Sequence, residues 1–135
     1  MKSILFLCTG NSCRSQMAEG FARKYAPAGT TIFSAGVEKH GLNPRAVLVM
    51  REVGVDISQQ YAKSVEEIPA AQIDTVITLC GHAAETCPAF LSELPGAHWD
   101  LTDPARAEGA EDEILALFRE VRDEIERRVK ELYGR

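Results

Sequence analysis

The chain is organised around residues 8–15, which read Cys8-Thr9-Gly10-Asn11-Ser12-Cys13-Arg14-Ser15. The preceding run from Ser3 to Leu7 is short and apolar, as in a strand buried on both faces of a parallel sheet. From Ser15 onward, Met17, Phe21 and Tyr25 recur every four residues, which indicates one face of an amphipathic helix. The sequence therefore predicts a strand, a loop and a helix, with Cys8 at the carboxyl end of the strand.

The loop has the residues of an anion-binding nest. Gly10 and Asn11 tolerate left-handed backbone, so the chain can curl until successive N–H groups point at one spot. The start of the helix adds a positive dipole end, and the planar guanidinium of Arg14 can hold two oxygens of a tetrahedral oxyanion. We predict that the substrate-binding residues are Thr9, Gly10, Asn11, Ser12, Cys13 and Arg14.

Cys8 is the candidate nucleophile. The nest, the helix terminus and Arg14 all favour its thiolate, and Ser15 is placed to hydrogen-bond the sulfur. The alternative is that Cys8 is a small buried hydrophobic residue and Arg14 a surface residue, which is the usual role of each type alone. Their position between a strand and a helix favours the catalytic interpretation.

Composition narrows the class of protein. The chain has 135 residues, 45% hydrophobic and 26% charged, with a net charge of −5. Those values suit one domain over residues 1–135, and the acidic balance argues against nucleic acid or an anionic membrane as partner. No signal peptide or membrane span is recognisable, so we expect a cytoplasmic protein. Four cysteines in that compartment suggest catalysis, redox chemistry or metal binding rather than structural disulfides.

The remaining pattern alternates strands and helices. We predict strands over 30–35, 73–79 and 97–101, a helix capped by Asn43-Pro44 and ended by Gly54, a helical turn with a capping box at 64–67, and a long last helix from Ile114 to Leu132. Such alternation predicts an α/β fold with a four-stranded parallel sheet flanked by helices on both faces. Trp99 is expected in the core.

Cys80 and Cys87 form a second candidate centre. Cys80 follows the third strand, so it should share the sheet edge with Cys8. If the segment from 80 to 87 is helical, its two sulfurs are roughly 10.5 Å apart along the axis, and a disulfide requires unwinding. The pair is then a candidate redox switch. The alternative is that one of the two cysteines is a buried core residue and the other has no particular role. A zinc site is disfavoured by the cysteine spacing, and His40, His82 and His98 show no metal-ligand spacing.

Asp103-Pro104 follows the fourth predicted strand. Proline favours extended backbone at the residue before it, and Asp103 should therefore reach the same sheet edge. A carboxyl group there can protonate a departing oxygen. Taken alone, the dipeptide also fits an ordinary turn.

These residues together resemble the thioredoxin-coupled arsenate reductases, which share the fold of the low-molecular-weight protein tyrosine phosphatases. The resemblance covers essentially the whole chain and is carried by residues 8–20, Ser34-Ala35-Gly36, Thr78-Leu79-Cys80 with Cys87-Pro88, and Asp103-Pro104-Ala105. The phosphatases lack the Cys80 and Cys87 pair and usually have tyrosine after the Asp-Pro dipeptide. Both differences favour the reductase.

The resemblance implies a three-cysteine mechanism. Cys8 attacks arsenate held by the loop and Arg14, with Asp103 assisting the loss of hydroxide. Cys80 then attacks Cys8, arsenite leaves, and Cys87 attacks Cys80, so that a Cys80/Cys87 disulfide remains for thioredoxin. Phosphate and sulfate would be binding analogues of arsenate. No cofactor and no metal ion are implied, glutaredoxin remains open as the electron donor, and we expect a monomer.

One position departs from the family pattern. Some members bind potassium near the loop through positions that match Asn11, Glu19 and Ser34 together with an aspartate. In this chain the corresponding place holds Lys63, whose ammonium is predicted to replace the ion. Two other functions stay open at this point: a phosphotyrosine phosphatase that uses Cys8, Arg14 and Asp103, and a non-catalytic thiol sensor or arsenite-binding module.

Overall fold

The computed structural model describes residues 2–135, except for the side chains of His82, Thr86 and Phe90. Four parallel strands form one sheet in the order β2-β1-β3-β4, with helices on both faces, as predicted. The strands are β1 (Ser3–Cys8), β2 (Thr31–Gly36), β3 (Thr75–Thr78) and β4 (Gly96–His98). Because all four are parallel, their carboxyl ends lie at the same edge of the sheet.

β1 is the central strand and explains the apolar run that precedes the loop. Ile4, Leu5, Phe6 and Leu7 are completely buried. Cys8 pairs with Gly36 of β2, and Leu7 pairs with Thr78 of β3. The neighbouring strands therefore end level with the start of the loop.

Five helices pack around this sheet: α1 (Arg14–Tyr25), α2 (Pro44–Glu52), α3 (Gly81–Thr86), α4 (Ala89–Ser92) and α5 (Glu111–Leu132). The Asn43 side chain accepts from the amides of Arg45 and Ala46, so this predicted N-cap is confirmed. The capping box at 64–67 begins a short 3₁₀ turn (Val65–Glu67). None of the helices within residues 2–135 has both the length and the apolarity needed to cross a membrane.

The long last helix holds α1 and α2 in place. α5 packs against both helices and buries Phe118, Ile125 and Val129. Arg122 reaches across to α2, where it donates to the Val49 carbonyl at 3.0 Å and to Glu52 at 2.9 Å. Arg122 is 8% exposed, so this polar contact ties α5 to α2 inside the packed interface.

The fourth strand differs from its prediction. It covers Gly96–His98 rather than 97–101, because Val76 donates to the Pro95 carbonyl and pairing begins there. Trp99 still donates to Thr78, but β3 ends at that residue and offers no partner to residues 100 and 101. Trp99 and Leu101 are nevertheless buried, as their apolar character indicates. Helix α4 was not predicted.

Candidate active site

The loop between β1 and α1 is fastened from outside by the segment that follows β2. The carbonyls of Cys8, Thr9, Gly10 and Ser12 accept hydrogen bonds from the amides of Val37, Glu38, His40 and Asn43, at 3.1, 2.8, 3.0 and 2.9 Å. A peptide group carries its N–H opposite its C=O, so this outward anchoring turns the loop amides inward. Backbone pairing with residues 37–43 therefore leaves the loop amides free to form the predicted nest.

Only one residue of the loop has left-handed backbone. Asn11 has φ of 50°, whereas Gly10 is not left-handed, so the prediction for Gly10 was wrong. Glycine is favoured there for another reason, because a Cβ at Gly10 would lie 2.4 Å from Nδ1 of His40. The ring of His40 therefore packs directly on the loop backbone.

A buried chain of hydrogen bonds supports Cys8 from behind. Asn11 Nδ2 donates to Ser15 Oγ at 2.7 Å and to Ser34 Oγ at 3.0 Å, and Ser34 donates to Glu19 Oε1 at 2.5 Å. Because Ser15 Oγ accepts from Asn11, its own proton is available to the Cys8 sulfur, 2.9 Å away. The arrangement favours Ser15 as a donor to an ionised Cys8.

Arg14 lies under the cavity and beside Asp103. Its side chain is 7% exposed, Nη1 donates to the carbonyls of Leu79 and Leu101, and Nη2 lies 3.4 Å from Asp103 Oδ2. Among the described residues its buried Nε has no hydrogen-bond partner. A guanidinium held in this way retains donor capacity for a bound oxyanion.

Asp103 has the extended backbone predicted for a residue before proline. Its Oδ1 accepts from the amide of Ala105 at 3.0 Å and begins the 3₁₀ turn Pro104–Arg106. The side chain of Asp103 is 28% exposed and lines the same cavity as Cys8.

Cys80 lies beside the loop, as the strand order predicts. Its sulfur is 3.1 Å from Thr9 Oγ1 and accepts from the amide of Ala83 at 3.3 Å, and it lines the same cavity as Cys8. Cys80 and Cys87 are the residues immediately before and after α3. All four cysteines are unpaired, and Cys87 is half-buried, which raises the pKa of its thiol.

Cys13 also lines the cavity, with its sulfur 3.8 Å from Asp103 Oδ1, but its thiol is not suited to redox chemistry. Burial, and secondarily the charge of Asp103, raise the pKa of its thiol to about 12. A thiol held in this state is a poor nucleophile at neutral pH. Its contribution is its position as the N-cap of α1, which agrees with its predicted backbone role in the nest.

The cavity at this edge has a volume of about 390 Å³. It contains the predicted residues Cys8, Thr9, Gly10, Ser12, Cys13, Arg14, Cys80 and Asp103. Ser15 and Asn11 lie behind its wall, and Cys87 lies outside it at the far end of α3. Sequence reasoning missed His40 and Arg106, which also line the cavity. The side chain of His82 lies outside the described residues.

Lys63 lies on the other side of the buried hydrogen-bond chain. Its amide donates to Asn11 Oδ1 at 2.8 Å, and its ammonium is 3.8 Å from Glu19 Oε1. Burial lowers the pKa of Lys63, an effect opposed by the charge of Glu19. The Lys63 ammonium therefore lies beside the Glu19 carboxylate. That carboxylate accepts from Ser34, which in turn accepts from Asn11.

The whole chain matches known proteins. Residues 3–135 match the model of the low molecular weight phosphotyrosine protein phosphatase family. A relative from Halalkalibacterium halodurans, named arsenate reductase, is 53% identical over 129 residues, covering 96% of this chain and 93% of that protein. A solved structure described as an arsenate reductase in the phosphate binding state superposes with a TM-score of 0.85 at 37% identity, covering 99% and 98% of the two chains.

A third similar protein is a thioredoxin-dependent arsenate reductase from Corynebacterium glutamicum. Its structure has a TM-score of 0.72 at 28% identity and covers 99% of this chain, which spans 61% of that one. The loop geometry, the shared sheet and these likenesses agree with one another. The chain therefore belongs to the low molecular weight phosphotyrosine protein phosphatase family, in the group that contains the arsenate reductases.

Proposed function

We propose that this chain reduces arsenate to arsenite, with Cys8 as nucleophile and with thioredoxin as the final electron donor. The observation that carries the proposal is the single cavity in which Cys8, Arg14, Asp103 and a second strand-end cysteine, Cys80, meet. A phosphatase needs one cysteine there, whereas reduction by two electrons needs thiols that end as a disulfide.

The proposed first step is oxyanion binding in the nest. The inward amides of the loop and the buried Arg14 guanidinium, with Nε unpartnered among the described residues, offer donors to a tetrahedral anion. The structurally similar reductase described in a phosphate binding state supports this assignment. Arsenate has the shape and charge of phosphate, so the same donors suit it.

In the second step the Cys8 thiolate attacks arsenic, and an arsenate oxygen leaves as water. Ser15 stabilises the sulfur before attack, since its hydroxyl proton is directed toward Cys8 by Asn11. Asp103 supplies a proton to the departing hydroxide from the cavity wall. A thiol–arsenate adduct on Cys8 results.

In the third step Cys80 attacks the Cys8 sulfur. The sulfur–arsenic bond breaks, its electron pair stays on arsenic, and arsenite leaves as a Cys8–Cys80 disulfide forms. Thr9 and the Ala83 amide hold the Cys80 sulfur beside the loop. Cys87 then loses its proton and attacks Cys80, which frees Cys8 and leaves a Cys80–Cys87 disulfide. Thioredoxin reduces that disulfide by thiol–disulfide exchange.

The Corynebacterium protein, described as thioredoxin-dependent, supports the choice of thioredoxin as electron donor.

We further propose that the chain works as a monomer in the cytoplasm, because the described site is complete within one chain and a reducing compartment keeps its thiols available. The competing function is phosphatase activity, which would use Cys8, Arg14 and Asp103 alone.

The test is a coupled assay containing the protein, thioredoxin, thioredoxin reductase, NADPH and arsenate. We expect NADPH consumption that depends on arsenate and stops without thioredoxin. If NADPH is not consumed while a phosphate ester is still hydrolysed, the phosphatase is the correct assignment. If neither reaction occurs but arsenite or oxyanions bind, the chain is a non-catalytic sensor.

Potassium is expected to leave turnover unchanged. The Lys63 ammonium, 12% exposed and 3.8 Å from Glu19, already supplies positive charge beside the buried chain. Rates measured in potassium chloride and sodium chloride at equal ionic strength should therefore agree. The matched variant is Lys63→Asp, whose turnover rate should be higher in potassium chloride than in sodium chloride. A potassium-specific gain in the unmodified protein would show that Lys63 does not replace the ion.

A further inference from the structure

The proposed reduction of arsenate requires more protons than Asp103 alone can supply. The balanced equation for the arsenate dianion is HAsO₄²⁻ + 2 H⁺ + 2 R–SH → As(OH)₃ + H₂O + R–S–S–R. Arsenic gains two electrons, the two thiols lose them, and two protons enter beyond those of the thiols. Asp103 can deliver one of them to the departing hydroxide. The other must reach an oxygen of the arsenite product.

We propose that His40 is the second proton donor of the cavity, an inference that rests on the proposed function. His40, which lies in the segment after β2, lines the cavity together with Cys8 and Arg14. Histidine ordinarily changes charge near neutral pH, so it can give up and regain a proton in each cycle. The side chain is 52% exposed, which allows it to be reprotonated by solvent.

The orientation of the ring is fixed from two sides. Nε2 lies 2.6 Å from Glu38 Oε2, and that carboxylate requires Nε2 to carry a proton. Nδ1 lies beside Gly10, where it is the atom nearest to the position of a Gly10 Cβ, and Gly10 lines the same cavity. With Nε2 as the donor to Glu38, the proton available for transfer is the one on Nδ1 of the imidazolium.

The charged surroundings of His40 are mixed. Glu38 faces its Nε2, and the other titratable or charged groups that line the cavity are Cys8, Cys13, Arg14, Cys80, Asp103 and Arg106. The cavity therefore presents both carboxylate and guanidinium groups near the imidazole ring. A bound arsenate dianion adds negative charge at the moment when a proton is needed.

The transfer itself moves only a proton. When Cys80 attacks Cys8 and the sulfur–arsenic bond breaks, the negative charge on the departing arsenite oxygens rises. The Nδ1 proton of His40 moves to one of these oxygens, and neutral imidazole remains. Solvent then reprotonates Nδ1, and neutral As(OH)₃, which the anion nest does not hold, leaves the cavity.

The experiment measures arsenite formation in a single turnover, with reduced protein in excess over arsenate and without thioredoxin. We expect His40→Gln and His40→Ala to lower the rate on the order of 10²-fold at neutral pH, the lower range for a general acid. Added imidazole should restore His40→Ala.

Two controls separate proton donation from packing. Phosphate should protect Cys8 from iodoacetamide equally in His40→Ala and in the unmodified protein, because the nest is kept. Lys39→Gln, a neighbouring exposed change of charge, should retain the full rate. An unchanged rate in the His40 variants would overturn the proposal. It would also be overturned if phosphate no longer protected Cys8 in His40→Ala and imidazole did not restore the rate of that variant. If the unmodified protein itself forms no arsenite, the proposed function fails first.

Discussion

Replacing Cys87 with alanine is expected to stop arsenate reduction after one turnover. Without Cys87, the Cys8–Cys80 disulfide formed by the first cycle has no internal thiol to resolve it. Both remaining sulfurs are buried, with Cys8 2% and Cys80 7% exposed, so thioredoxin cannot reach them directly. The steady rate of NADPH oxidation should fall on the order of 10³-fold or more, as when a covalent catalytic group is removed.

The same variant should keep its activity on a phosphate ester such as p-nitrophenyl phosphate. That reaction needs only Cys8, Arg14 and Asp103, and Cys87 lies outside their cavity. Digestion and mass spectrometry of Cys87→Ala after arsenate treatment should show Cys8 joined to Cys80. Cys8→Ser is the matched control and should lose both reactions. Continued multiple turnover by Cys87→Ala would eliminate the three-cysteine relay.

Arg14→Lys is expected to lower kcat/KM for arsenate by about 10² to 10³-fold, the scale for loss of one oxyanion donor. The guanidinium spans the Leu101 carbonyl at 3.1 Å and Asp103 at 3.4 Å, with Nε still unpartnered within the described part of the chain. An ammonium is a point charge and cannot satisfy these partners and an oxyanion together. Protection of Cys8 by phosphate against iodoacetamide should weaken in parallel.

Arg45→Lys is the matched control for this substitution. Arg45 also binds a carboxylate with two nitrogens, Glu111 at 3.0 and 2.7 Å, but on the exposed surface between α2 and α5. Its replacement should leave both kcat/KM and phosphate protection unchanged, since exposed ion pairs contribute little. Thermal unfolding of both variants would show whether Arg14→Lys remains folded. Full phosphate protection in folded Arg14→Lys would contradict the role given to Arg14.

The parts of the structure that sequence could predict are those set by local chemistry or by topology. The apolar run before Cys8 and the cap at Asn43 depend on neighbouring residues, and both were predicted. The approach of Cys80 to the loop follows from the rule that parallel strands end at one edge. In each case the signal lies within a few residues or in the order of the elements.

The residues that were missed depend on contacts made far along the chain. His40 reaches the cavity because residues 37–43 pair backbone to backbone with the loop, and no periodicity in the sequence marks that pairing. The same contact explains why Gly10 was assigned the wrong role. The early start of β4 was missed because its pairing begins at Pro95, a residue that cannot itself donate to a ladder.

Helix α3 determines where the molecule changes shape during the proposed cycle. It has six residues, too few to be stable without tertiary support, and a helix of this length forms and melts within about a microsecond. Joining Cys80 to Cys87 therefore requires this short helix to unwind, because sulfurs seven residues apart on a helix are roughly 10.5 Å apart along its axis. The central strand β1, which is buried from Ile4 to Cys8, and the loop that follows it lie outside this segment. The proposed change of shape is then confined to the segment between the two cysteines, and the chain can alternate between oxidised and reduced forms without loosening its core.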